Sequence, residues 1–286
     1  MRKFLIGLGA SLLAIGHAAA EPAMWKASDE DSEIYLFGSI HLLDKGAPWQ
    51  TEALDKALSL ADYYYYELAM DAEAQALMQT LALQYGTAPE GKTLSSYLTE
   101  EQKTAFDAAV TSYGMSPATL EPYRPWLAYL TLSVVSVQAA GFDPASGVET
   151  IMMAQTDDEK ERYFETAEQQ IRFFADMPDD VQAKLLVTVV EQIEEGPEVM
   201  TNMANAWRSG DVQTLDEIVN DSMADVSDEV YQTLIVKRNK AWVEEIRTLM
   251  EGDEEAVIIV GAGHLIGDDG VPALLEAEGI KVERIQ

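Results

Sequence analysis

Two histidines each follow a glycine by three positions, and each pair comes at the end of an apolar run. Gly38 and His41 end the run in IYLFGSIHLLD, and Gly261 and His264 end the run in VIIVGAGHLIGDDG. A third histidine, His17, lies in a leader-like segment. Neutral imidazole can accept a proton near neutral pH, and it also binds metal ions. The repeated GxxH pattern therefore predicts that both histidines belong to one reactive site.

The segments that carry these histidines are predicted to be strands of one sheet. AMWKAS and EIYLFGSIH indicate a hairpin, and a helix over PWQTEALDKALSLA and a strand over DYYYYELAM follow it. This strand–helix–strand order predicts a βαβ unit and therefore a parallel pair. Near the other end of the chain, EEAVIIVGAGH, GVPALLEAEG and KVERIQ indicate a buried strand, a helix and a short strand. We expect an α/β fold with a mixed central sheet formed by both chain ends.

Between about residues 71 and 250 the pattern is almost entirely helical. Thr99 and Gln102 have the spacing of a capping box, which marks the start of one helix. Met200 and Met203 are predicted to fill the core and not to form a binding surface. We expect a large α-helical insertion within a single domain.

The first twenty residues have the pattern of a secretory signal peptide. Arg2 and Lys3 precede an apolar run that ends in small residues, and cleavage is predicted after Ala20. The run is shorter than the roughly 20 residues that a membrane-spanning helix needs. Residues 21–286 are then expected to form one periplasmic or secreted domain without stable membrane insertion.

The overall charge restricts the partners. The chain has 50 acidic and 19 basic residues and a formal net charge of −31. Such a surface repels nucleic-acid phosphates and anionic lipid, so we expect no nucleic-acid partner. The absence of cysteine excludes thiol chemistry and disulfides. A peptide or a small molecule is the expected substrate, and the oligomeric state is left open.

Ligands of open α/β sheets bind at the carboxyl ends of the strands, where His41 and His264 are predicted to lie. Glu67 ends the strand in DYYYYELAM and is the predicted carboxylate partner, because its strand is expected to neighbour the first one. A glutamate there loses hydration energy unless a partner compensates it. Ser39 is not expected to be a nucleophile, because adjacent residues of a strand point to opposite faces.

Several motifs together resemble the TraB/GumN family. They are GSIH, the glutamate of YYYYELAM, FETAEQQIRFFADMP, the KRN of residues 237–239 and VGAGHLIGDDGVPALLEAEG. That family includes the Tiki proteins, described as metal-dependent peptidases, and is related in fold to the erythromycin esterases (EreA) and the haem-binding ChaN-like proteins. The resemblance implicates Gly38, His41, Glu67, Glu165, Gln169, Arg238, Asn239, Gly261 and His264. It also implicates Glu149, in GVE, where many relatives have aspartate.

The resemblance implies one chemistry that uses a divalent metal. His41, His264 and one or both of Glu67 and Glu149 would bind Mn, Zn, Co or Fe, and the metal would activate a water molecule to attack a peptide carbonyl. Arg238 would stabilise the developing oxyanion or hold a carboxylate of the substrate. An exported metal-dependent peptidase is the leading hypothesis.

Other hypotheses remain open at this stage. Without a metal, His41 or His264 would be a general base for water, oriented by Glu67, as in the related esterases. A protein that binds haem or a peptide without turnover is an alternative. An accessory role in envelope polysaccharide production is suggested only by the name of part of the family.

Overall fold

The structure is a computed structural model that describes residues 21–41, 43, 46 and 48–286. A six-stranded mixed sheet lies at its centre, with strands from both chain ends as predicted. The strands are β1 (Met24–Ser28), β2 (Glu33–Ser39), β3 (Tyr63–Tyr66), β4 (Glu161–Tyr163), β5 (Ala256–Gly261) and β6 (Lys281–Arg284). The predicted signal peptide lies outside the described residues, and export stays a prediction.

The strands are arranged in the order β4-β3-β5-β2-β1-β6. β5 pairs in parallel with both β2 and β3, while β1 pairs antiparallel with β2 and β6. The prediction that β2 and β3 are direct neighbours is therefore wrong. β5 lies between them because its residues, Ala256 to Val260, are all buried and need cover on both faces.

Helices surround this sheet and make up most of the remaining described chain. The α-helices are α1 (Glu52–Leu60), α2 (Ala72–Gly86), α3 (Glu100–Ser112), α4 (Pro125–Ala139), α5 (Val148–Met153), α6 (Ala167–Ala175), α7 (Asp179–Glu191), α8 (Gly196–Arg208), α9 (Val212–Asp216), α10 (Ser222–Val226), α11 (Asp228–Tyr231), α12 (Lys237–Leu249) and α13 (Val271–Ala277). Two π-helical segments, Glu217–Asp221 and Gln232–Val236, follow α9 and α11. Short 3₁₀ turns cover Leu94–Tyr97, Pro117–Thr119, Pro144–Ser146, Asp158–Lys160 and Ala262–His264.

Both faces of the sheet are covered by helices. Phe37 of β2 packs edge-on against Trp207 of α8, with 6.4 Å between the ring centroids, and its ring centroid lies 6.1 Å from that of Trp49. The adjacent Leu36 points the other way and shares a buried cluster with Trp242 of α12 and Leu275 of α13. Alternate residues of one strand thus enter two separate hydrophobic layers. This two-sided burial fixes the strand ends at which the candidate site lies.

The region from 71 to 250 is mostly helical, as predicted, and its one strand, β4, was missed by the helical prediction. β4 has only three residues, too few to show the alternation of a strand. It pairs in parallel with β3, and the Glu165 backbone N–H continues the ladder to the Glu67 carbonyl at 2.9 Å. This pairing places two acidic residues side by side.

Among residues 21–41, 43, 46 and 48–286, no helix combines the length and apolar character needed to cross a membrane.

Candidate functional site

A cleft of about 330 Å³ opens at the carboxyl ends of β2, β3 and β5, and both predicted histidines line it. The polar residues of its floor and rim include His41, Glu67, Arg238 and His264. Its walls come from helices and include Phe173, Phe174, Met200, Met203 and Met223. Met200 and Met203, predicted only as core filler, pack against the core and also line this cleft.

His264 is buried and held in one tautomer by Asn239. The Asn239 side-chain amide donates to the carbonyls of Asp269 at 2.7 Å and His264 at 3.3 Å, so its oxygen is left to accept. His264 Nδ1 lies 2.6 Å from that oxygen and therefore carries the proton. Burial, and then the charge of Arg238, lower the pKa of His264 to about 3. His264 is a neutral imidazole with an accepting Nε2.

All five N–H groups of Arg238 are used within the protein. Nε donates to Glu165 Oε1 at 2.7 Å, and Nη1 donates to the Leu234 carbonyl at 3.1 Å and to His264 Nε2 at 2.9 Å. Nη2 donates to Glu67 Oε2 at 2.5 Å and to Glu165 Oε2 at 2.8 Å. No donor remains for an oxyanion or a substrate carboxylate. In this arrangement Arg238 positions its neighbours and does not contact a substrate through its charge.

Glu67 lies in the floor of the cleft as a buried carboxylate. Its Oε1 accepts the Gly261 backbone N–H at 2.8 Å, and its Oε2 accepts from Arg238 and, at 3.2 Å, from Gln170 Nε2. Burial alone would raise the pKa of Glu67, but the Arg238 guanidinium, the two histidines and the Gly261 N–H together outweigh burial and hold the pKa well below its usual range. Glu67 is therefore negatively charged at neutral pH.

The sequence motifs missed two residues that complete this cluster. Gln170, not the predicted Gln169, reaches it and donates to Glu165 Oε2 at 2.9 Å, whereas Gln169 is exposed and caps α6. Trp242 donates to Glu165 Oε1 at 3.1 Å, and its ring centroid lies 4.4 Å from that of His264. Trp242 follows Arg238 by one helical turn, and this spacing is a sequence signal that could have indicated it.

His41 has a different carboxylate partner from the one predicted. Its Nδ1 lies 2.7 Å from Glu149 Oε1, and Glu149 also accepts the Ser39 hydroxyl hydrogen bond. The His41 side chain is 61% exposed, whereas that of Glu149 is 5% exposed. The negative charge of Glu149 raises the pKa of His41 to about 9. Glu149, not Glu67, orients His41, and the Ser39 hydroxyl is committed to Glu149.

A glycine allows Glu149 to reach His41. The Val148 backbone N–H donates to the Ile40 carbonyl at 3.0 Å, which joins the start of α5 to the end of β2. At Gly147 a Cβ atom would collide with the His41 carbonyl oxygen. Gly147 therefore permits this close approach of two backbones. In the sequence, only the position of Gly147 directly before the VE dipeptide marks it.

The glycines of the two GxxH motifs provide space and not an unusual backbone conformation, since neither has a positive φ. A Cβ atom at Gly261 would lie 3.1 Å from Glu67 Oε1 and 3.7 Å from both His41 Nε2 and His264 Cδ2. A Cβ atom at Gly38 would lie 3.1 Å from the Ala262 backbone. Gly38 thus permits close packing, while Gly261 leaves a gap between His41 Nε2 and Glu67 Oε1.

Several of the predicted metal ligands already have partners within the protein. The lone pair of His264 Nε2 and one Glu67 oxygen already accept from Arg238, and Glu149 already accepts from Ser39 and His41. A metal beside these atoms would also meet the guanidinium charge. In the described part of the chain no three His, Cys, Asp or Glu side chains are arranged to hold a metal ion. Metal binding here stays a prediction.

Comparison with known proteins places these residues in a wider context. The model of the TraB/PrgY/gumN family matches residues 23–284. No curated protein and no solved structure gives a match. The family match covers the strands of both chain ends and the helical region between them, so it rests on the whole arrangement and not on two short motifs.

Proposed function

The chain belongs to the TraB/PrgY/gumN family, and from that premise and the geometry of the cleft we propose that it hydrolyses ester or amide bonds. The observation that carries the proposal is the 2.7 Å contact between His41 Nδ1 and the buried Glu149 at the rim of an apolar cleft. A histidine oriented by a carboxylate is a common general base for water. The reaction proposed is carbonyl hydrolysis by activated water.

The proposed water lies over Gly261, where His41 Nε2 and Glu67 Oε1 flank an open gap. Because the Nδ1 proton of His41 faces Glu149, Nε2 is the atom that accepts a proton. In its neutral form, which predominates above its pKa of about 9, His41 takes one proton from water as the oxygen attacks the carbonyl carbon, and Glu149 stabilises the imidazolium that forms. The imidazolium then gives its proton to the leaving alkoxide or amine, which completes the hydrolysis.

His264 is not the proposed base, although it carries the second GxxH motif. Its Nε2 accepts from Arg238 at 2.9 Å, and its pKa is lowered to about 3. Together with Asn239 and Arg238 it holds Glu67 in place beneath the gap. We assign these three residues as positioning residues, because none of them has a free polar atom directed at the proposed water.

The test measures hydrolysis of p-nitrophenyl esters and fluorogenic peptides by the wild type, His41→Ala and Glu149→Gln. Both variants are expected to lose at least about 100-fold in kcat/KM. Glu121→Gln is a matched control, because Glu121 also accepts a serine hydroxyl, that of Ser95, far from the cleft. This control is expected to retain wild-type turnover.

Each assay is repeated after chelation and after addition of Mn²⁺, Zn²⁺ or Co²⁺. Activity that survives chelation supports the metal-free base, whereas loss on chelation with recovery on metal addition supports the metal-dependent peptidase instead. Unchanged turnover in His41→Ala would contradict the assignment of His41. Tight ligand binding without turnover of any substrate would indicate the binding-protein alternative.

A further inference from the structure

The walls of the cleft are apolar, whereas its floor and rim are polar. Apolar side chains from six helical segments form the walls, among them Phe173, Met203, Val219 and Leu234. Polar groups are confined to the floor and rim. A cavity of this kind gains binding energy mainly by removing apolar ligand surface from water.

The charges of the floor disfavour an anionic ligand. Glu67 and Glu165 supply two carboxylates against the single guanidinium of Arg238, so the ion-paired cluster has excess negative charge. Arg238 has no N–H group left to donate, and His264 is neutral. A carboxylate, phosphate or sulfonate placed above this floor would be repelled by its excess negative charge, and the His41 imidazolium at the rim is already paired with Glu149.

The positions of His41 and the apolar walls define how a substrate would lie. His41 is at the exposed rim, whereas the methionine and phenylalanine side chains extend along the interior. The bond that is cleaved would therefore sit at the rim, with an apolar arm inside. Methionine side chains are flexible and adapt to ligands of different shape, so Met200, Met203 and Met223 suit a chain-like arm.

We propose that the cleft recognises an uncharged ester or amide by an apolar arm, such as an acyl chain or an aliphatic side chain, and rejects anionic substrates. The proposal rests on the hydrolytic function assigned above for its turnover measurements. Its binding measurements do not depend on turnover. The two proposals can therefore fail separately.

The binding test compares two fluorescent probes of similar size and different charge. N-phenyl-1-naphthylamine is neutral, and 1-anilinonaphthalene-8-sulfonate is anionic. The wild type is expected to bind the neutral probe at least about tenfold more tightly than the anionic probe. His41→Ala is expected to show the same preference, because His41 lies at the rim and forms no part of the apolar walls. Equal binding of both probes, or no binding of the neutral probe, would overturn the proposal.

A charge placed in the wall locates the binding. Met203→Lys is expected to lower the affinity for the neutral probe about tenfold or more, so that the affinities for the neutral and the anionic probe become similar. The half-buried position allows the lysine to extend toward water, so folding should be preserved. Val199→Lys is the matched control on the same helix, because Val199 is 42% exposed and lies outside this cleft. An equal effect of both substitutions would show that the probe binds elsewhere.

Turnover tests the same specificity in an active enzyme. From p-nitrophenyl acetate to the hexanoate, kcat/KM is expected to rise about fourfold for each methylene buried. The mono-p-nitrophenyl ester of adipic acid matches the hexanoate in length and ends in a carboxylate, and it is expected to react at least about tenfold more slowly. A flat series or equal rates for hexanoate and adipate would refute the substrate class, whereas probe binding without any hydrolysis would refute only the hydrolytic function.

Discussion

Replacement of Arg238 by methionine should destabilise the fold strongly, because it leaves two buried carboxylates without their cation. The Glu67 and Glu165 side chains are 8% and 5% exposed, and both accept directly from Arg238. Removing one partner of a buried ion pair costs about 3–5 kcal/mol. At about 2–4 °C per kcal/mol, the thermal unfolding midpoint should fall by roughly 10 °C at pH 8.

The stability lost in Arg238→Met should be smaller at low pH than at high pH. In the wild type the pKa of Glu67 is depressed, so its stabilising contribution is present above its unfolded pKa and is lost as pH falls. In Arg238→Met, burial without the guanidinium raises the pKa of Glu67, so the folded variant takes up protons as pH falls and escapes the cost of a buried charge. The stability difference between the two proteins should therefore be largest at pH 8 and smaller at pH 5.5.

The assay is urea unfolding at both pH values, with Arg247→Met as the control. Arg247 lies on the same helix and makes exposed ion pairs with Glu244 and Glu278, so its loss should cost at most about 1 kcal/mol at either pH. A second test combines Arg238→Met with Glu67→Gln and Glu165→Gln, which removes the uncompensated charge and should recover most of the stability. A pH-independent penalty, or one no larger than that of Arg247→Met, would refute the reasoning.

Three further outcomes are expected. Gly261→Ala should reduce turnover by about 100-fold or more, because the new methyl group fills the proposed water position; an unchanged unfolding midpoint would show that folding is preserved, and normal turnover would contradict the assignment. In Glu149→Gln, the residual activity measured from pH 6 to 10 should rise at lower pH than in the wild type, because the carboxylate that raises the pKa of His41 is gone; a superimposable pH profile would exclude His41 as the base. Trp207→Phe removes the 2.8 Å hydrogen bond from the indole N–H to the buried Gly38 carbonyl. The free energy of unfolding, measured with urea, should fall by about 1 kcal/mol. An unchanged free energy of unfolding would show that this hydrogen bond does not stabilise the fold.

The local sequence was sufficient to place the two GxxH motifs. An apolar run such as AVIIV can be read as a buried strand, and a polar residue directly after it falls at the strand end. His41, Glu67 and His264 all follow such runs and were predicted at the carboxyl ends of their strands, and the structure brings all three to one cleft. The α/β class and the sheet built from both chain ends followed from the same patterns.

The partner of each histidine could not be read in this way. Which carboxylate meets which imidazole depends on the order of strands in the sheet and on how α5 approaches β2. β5 lies between β2 and β3, so Glu67 contacts Gly261 and the cluster around His264, while Glu149 reaches His41. These contacts join residues more than 100 positions apart, and the spacing of residues along the chain carries no record of them.

The tertiary structure also decided the chemical state of the two histidines. Both have the same GxxH context in the sequence, yet one is exposed beside a carboxylate and the other is buried against a guanidinium. The pKa of His41 is therefore raised while that of His264 is lowered. Residue type and spacing determined that two imidazoles lie at the strand ends. Burial and neighbouring charge, which exist only in the folded chain, decided that one can exchange a proton with water while the other holds a fixed hydrogen bond.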